Sequence, residues 1–175
     1  MTGGSMDSDN TNNAAAKLPT GRLMGREAFT QTVCDALACA AREGWAEIIL
    51  SDATFEDWPL HERAVADSLQ AWSRTGRRLT MLATRFDVVQ RQHARFVSWR
   101  KTWGHLIDCR VCPAADPLDF PSALWSPGWV MHRIDPQNSV VLCGRDAQRR
   151  TLLRETLNEW GRNSAPGFPA SQLGL

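Results

Sequence analysis

The chain has 175 residues, 43% of them hydrophobic and 22% charged, a mix that suits one globular domain with its own core. Its 20 Lys and Arg nearly balance 19 Asp and Glu, and a formal net charge of +1 excludes a global field that recruits nucleic acid or anionic membrane. No apolar run approaches the roughly 18 residues of a membrane-spanning helix, so no membrane partner is expected.

The N-terminus, MTGGSMDSDNTNN, is polar and lacks the apolar core of a signal peptide. Five cysteines, an odd number, then fit reduced thiols, and a cytoplasmic location is expected. Residues 1–22, rich in Ser, Asn, Asp, Thr and Gly, are predicted to be a disordered tail. A single α/β domain is predicted over 23–164, and 165–175 is predicted to be an irregular tail from which Phe168 and Leu173 dock on the body.

Within the domain a helix is predicted over 26–43, from the spacing of Phe29, Val33, Leu37 and Ala40, with Gly44 as its stop. AEIIL (46–50) reads as a buried strand. A loop containing Asp52, Glu56, Asp57 and Trp58 follows, and Trp58 is expected to be exposed for a partner or ligand. A second helix is predicted over about 60–75, with Val65, Leu69 and Trp72 inward and Gly76 as its stop. RLTMLAT (78–84) is the next buried strand, and a third helix covers about 87–103. LIDCRVC (106–112) alternates as a strand does, and the Pro-rich stretch 113–128 reads as a loop. WVMHRID (129–135) and SVVLCG (139–144) flank the turn residues PQN and read as a hairpin. Asp146 caps a last helix, 147–161, with Leu153, Leu157 and Trp160 on one face. The order α-β-α-β-α-β-β-β-α predicts a mostly parallel sheet flanked by helices. Eight Trp stand against zero Tyr, and some of the indoles are expected half-exposed at the core edge, where their N–H groups find partners.

The segment HARFVSWRKTW, 93–103, carries the densest chemistry. On a helix, Phe86, Val89, His93, Phe96, Arg100 and Trp103 form one stripe. Its ordinary reading is a core-edge histidine with an arginine laid along an aromatic ring. Its sharper reading is an anion corner formed by His93, Arg95 and Arg100, with Asp52 and Arg85 at the carboxyl ends of the first and second strands.

The element order, with His93-Ala94-Arg95 after the second strand, resembles one half of the phospholipase D superfamily. That family's motif is His-x-Lys-x4-Asp. Here arginine replaces the lysine, and Arg100 stands where the aspartate would be. The pattern is closer to uncharacterised bacterial domains of phospholipase D-like fold, in which a histidine-led helix replaces the motif. The resemblance implies the fold, a non-catalytic binding or interaction module, and a homodimer, because single-copy relatives pair their halves. The alternative is a phosphodiesterase-type enzyme, or a protein that binds nucleic acid or another phosphate-bearing ligand, using His93 and nearby arginines. The run ILSDATFEDW, a helix and then RRLTMLA is superficially similar to anti-sigma-antagonist-like domains, which the extra hairpin and last helix fit less well.

Two further patterns bear on function. Cys109-Arg110-Val111-Cys112 is a CxxC, but inside a strand its sulfurs point to opposite faces, so buried structural cysteines are expected and no metal. No Walker loop, nucleophile elbow or GxGxxG is present, and no cofactor is expected. Basic residues concentrate at Arg85, Arg91, Arg95, Arg100, Lys101 and Arg110, and again at Arg145, Arg149, Arg150, Arg154 and Arg162. If the helices carrying them are adjacent, they make a basic face interleaved with tryptophans, as nucleic-acid binders do.

Overall fold

Helical stripes fold where their spacing predicts. Phe29, Val33, Ala36, Leu37 and Ala40 bury one face of α1 (Arg26–Glu43). Gly44 ends it in the left-handed region, φ 65°, where its N–H reaches the Ala40 carbonyl. Val65, Leu69 and Trp72 bury α2 (Arg63–Trp72). The predicted helix over 87–103 forms as two, α3 (Asp87–Gln92) and α4 (Ala94–Thr102), divided at His93 with φ −115° and ψ 57°. The stripe largely survives the division: Phe86, Val89, His93, Phe96 and Arg100 are buried, and Trp103 is half-buried. Asp146 caps α5 (Ala147–Arg162), its carboxylate accepting from the Arg149 N–H at 2.8 Å.

The structure is a computed structural model and describes residues 17–168. The expected disorder of residues 1–16 and the docking of Leu173 lie outside the described residues. The body begins before residue 23. Leu18 is buried, the Trp129 indole N–H donates to the Pro19 carbonyl, and Gly21–Met24 forms strand β1. At the other end Phe168 stacks on Phe86 with centroids 5.5 Å apart.

The remaining strands are β2 (Glu47–Ser51), β3 (Arg78–Ala83), β4 (Ile107–Val111), β5 (Ser122–Trp125), β6 (Val130–Asp135), β7 (Val140–Gly144) and β8 (Ala165–Pro166). They form one sheet in the order β1-β7-β6-β5-β2-β3-β4-β8. Among the described residues only β2·β3 and β3·β4 pair in parallel, and the other five pairings are antiparallel. This corrects the expected mostly parallel sheet. The cause is β5, a strand of four residues between Pro121 and Pro127 in the stretch expected to be a loop. It is buried on both faces, so it shows no alternation. It pairs antiparallel with β2 on one side and β6 on the other, which sets the antiparallel β5-β6-β7 meander against the parallel strands.

Helices cover both faces. α1, α2 and α4 pack on Ile48, Leu50, Leu79, Met81, Leu124, Met131 and Val141. α5 lies alone on the opposite face, with Leu153 and Leu157 against Ile49, Leu82, Ala123, Trp125 and Val130. Six of the eight Trp give their N–H to an acceptor: Trp45, Trp72, Trp99, Trp103, Trp125 and Trp129. Trp58, expected to be exposed, is fully buried edge-on to Phe29 and Phe55. No helix among the described residues is long and apolar enough to cross a membrane.

Candidate nucleic-acid interface

The five residues expected to form an anion corner separate into structural roles. Asp52 is buried, with Oδ2 accepting from the Thr54 and Phe55 N–H groups and Oδ1 from Arg133 Nη2 at 2.9 Å. His93 is 1% exposed, and its Nε2–H donates to the Phe55 carbonyl at 2.8 Å. Asp52 and His93 therefore hold opposite ends of one residue, Phe55, which sits at φ 61° in the left-handed region. Burial lowers the His93 pKa most, and His61, stacked on it at 5.5 Å, lowers it further; the bond to Phe55 opposes both. Arg95 is exposed and donates to the His61 carbonyl. Arg85 is exposed beside Asp87 at 3.4 Å. Arg100 is buried, donating Nη2 to the Phe168 carbonyl, with its guanidinium 5.6 Å from that ring. None of the five lines the groove between α5 and the strands β2, β3 and β4.

The helices α4 and α5, which carry most of the two basic clusters, do not meet. α4 packs with α2 on one face of the sheet, and α5 lies on the other. A cationic site instead forms between α5 and the α5-facing side chains of β2, β3 and β4. Strand alternation sends Glu47 and Ile49, Arg78, Thr80 and Leu82, and Asp108 and Arg110 to that face, and their partners to the opposite core. The helix contributes Arg154, Asn158 and Arg162 at i, i+4 and i+8, beside Leu157 and Gly161. Together they line a groove of about 370 Å³.

The groove changes character along its length. At one end Arg154 makes a two-pronged ion pair with Glu47, at 2.9 and 3.1 Å, while its guanidinium lies 4.2 Å over the Trp125 ring. Arg78 faces Asp108 at 3.4 Å. At the other end Arg110 is held by Ser164, Nε to the hydroxyl at 2.9 Å and Nη2 to the carbonyl at 3.0 Å. This leaves Nη1 of Arg110 free to donate, and no ion pair engages Arg110 or Arg162 among the described residues. Four arginines against two carboxylates give the groove a formal charge of 4 − 2 = +2. Arg110, Arg154 and Arg162 stand out in sequence as basic density. Arg78, Glu47 and Asp108 do not, although Arg78-Leu79-Thr80-Met81 already alternates.

The cysteines do not form a metal centre. Cys109 belongs to the core beneath α4 and Cys112 to the core beneath α5. Burial pushes the Cys109 and Cys143 thiols up to about 11. Among the described residues no cluster of His, Cys, Asp or Glu is built to hold a metal ion.

No protein-family model matches the chain, and no curated protein matches it. In fold it is similar to TrmBL2, an archaeal chromatin protein, in a structure that shows a novel mode of DNA binding. The TM-score is 0.61 at 16% sequence identity, over 83% of this chain and 53% of that one, so the chain spans about half the length of TrmBL2. The phospholipase D-like fold and the bacterial origin expected from the sequence find no support in this likeness, which is to an archaeal chromatin protein.

Proposed function

We propose that this chain binds nucleic acid through the sugar–phosphate backbone, using the arginine groove beside α5. The observation that carries the reading is the concentration of Arg78, Arg110, Arg154 and Arg162 around one groove in a chain whose formal net charge is only +1. Arginine presents a planar fork of donors to phosphate, and a basic patch works locally even where the whole molecule is near neutral. The likeness in fold to a DNA-binding chromatin protein supports the reading.

The test is binding of a labelled oligonucleotide over a range of salt concentrations. Affinity is expected to fall steeply as salt rises, because each neutralised phosphate releases a counterion. Arg162→Gln is expected to weaken binding to all sequences alike and to reduce the slope of log K against log salt by about 1. Absent binding, or binding indifferent to salt, would overturn the proposal.

A further inference from the structure

We infer that the groove seats one nucleotide of a single strand, its phosphate at the Arg110–Arg162 end and its base beside Gly161. This rests on the nucleic-acid reading above and adds which form of nucleic acid the site takes. The parallel register places Leu82 opposite Arg110, Thr80 opposite Asp108 and Glu47 opposite Arg78. Successive rows on one face lie roughly 7 Å apart. The Ser164–Arg110 and Glu47–Arg154 contacts fix α5 along the same axis, so its C-terminal end meets the Arg110 row.

The rows then divide the work. Arg110, held in place by Ser164 with one nitrogen free, and Arg162 make the end without a carboxylate partner, where a phosphate gains most. The middle row offers the Thr80 hydroxyl, the Asn158 amide and the Asp108 carboxylate. Asp108 repels a second phosphate but accepts hydrogen bonds from the amino or imino edge of a base. The far end is already neutralised by the Glu47–Arg154 pair, so a continuous run of phosphates along the groove finds no second seat.

Gly161 supplies the opening. It lines the groove one residue before Arg162, and a Cβ built there meets no atom within 4 Å, so the groove wall at that point is open space rather than packed core. The groove volume of about 370 Å³ lies in the range of small-ligand sites. A base held in a duplex is stacked and paired and cannot turn its edge into a groove walled by a helix, whereas a single strand presents it freely.

The same open space gives a clean test. Gly161→Leu places a good helix former where a Cβ meets nothing, and its side chain fills the groove beside it. The full chain is titrated with a labelled single strand, its duplex, and an abasic strand of equal length, at one salt concentration. The single strand is expected to bind best, and the abasic strand roughly tenfold more weakly, the about 1.4 kcal/mol of one good base contact. Gly161→Leu, with a wild-type melting temperature, is expected to bind natural and abasic strands alike. Equal binding of natural and abasic strands by the wild type, preference for the duplex, or a Gly161→Leu variant that still discriminates each overturns the inference while leaving backbone binding standing. Failure to bind any of the three overturns both.

Discussion

Asp52 at the end of the β2 region and Arg133 on β6 are 81 residues apart in sequence and 2.9 Å apart in space. The Arg133 guanidinium also donates to Asp57 at 2.6 Å and to the Ser122 hydroxyl at 3.0 Å, and lies 4.2 Å over the Phe29 ring. All three of its nitrogens are engaged. The loop after β2, the meander and α1 thus meet at one buried cation.

Breaking this network is expected to be costly. Arg133→Gln leaves the Asp52 carboxylate buried without its counter-charge, and the loss expected in urea unfolding is about 3–5 kcal/mol. Asp57→Asn should lose less, because its side chain is 32% exposed and Asp52 still faces the arginine. A loss below 1 kcal/mol for Arg133→Gln would show that the pair adds little to the native state.

His93 makes stability fall in acid. Its folded pKa lies below the ordinary value because burial disfavours the imidazolium, with His61 adding to the effect. Above about pH 6.5 the imidazole is neutral in both states and adds no slope. Below it the unfolded chain takes a proton that the folded chain refuses, so stability drops as pH falls, by at most about 1.4 kcal/mol per unit. His132 carries the same sign, from burial first and then Arg149. Unfolding free energies at pH 7.5 and 5 should therefore converge partly in His93→Gln and further in the double variant with His132→Gln. An unchanged acid slope in His93→Gln would remove His93 from the account.

Gly76 is required by packing. A Cβ at this position would fall on the Trp72 indole, which is fully buried and tied by its N–H to the Trp45 carbonyl at 2.6 Å. Gly76→Ala is expected to destabilise by about 1–3 kcal/mol, as overpacking does. Thermal melting checks this, and a stabilised variant would show that the ring has room to shift.

Cys34 should be a slow thiol although it is only half-buried. Burial and the Glu62 carboxylate, 3.5 Å from the sulfur, push it up to about 12. Native alkylation at pH 8 is expected to lag far behind the unfolded chain, because the thiolate is the reactive form. Glu62→Gln should speed it, and equal rates in the two proteins would assign the whole effect to burial.

The local elements were legible because their signals are local. The α1 stripe, the Gly44 stop and the Asp146 cap all lie within a few residues of what they control. The stripe through His93 and Arg100 was legible as well, even though the helix breaks at His93, because periodicity reports burial rather than hydrogen bonding. The candidate groove was half legible. Arg154 and Arg162 share a helix face by spacing alone, but their placement beside Arg78 and Arg110 depends on which strands adjoin.

The sequence by itself determined which stretches form helices, which faces are apolar and that charge is clustered, since these follow from periods of 3.6 and 2 along the chain. Tertiary structure alone decided the rest. The short strand β5 carries no alternation because both its faces are buried, yet its position between β2 and β6 makes the sheet mostly antiparallel. Sheet order then put α4 and α5 on opposite faces, parting Arg95 and Lys101 from the α5 arginines while Arg110, on β4, joins Arg154 and Arg162. It also drew Asp52 to Arg133, because a buried carboxylate takes the nearest counter-charge the fold supplies.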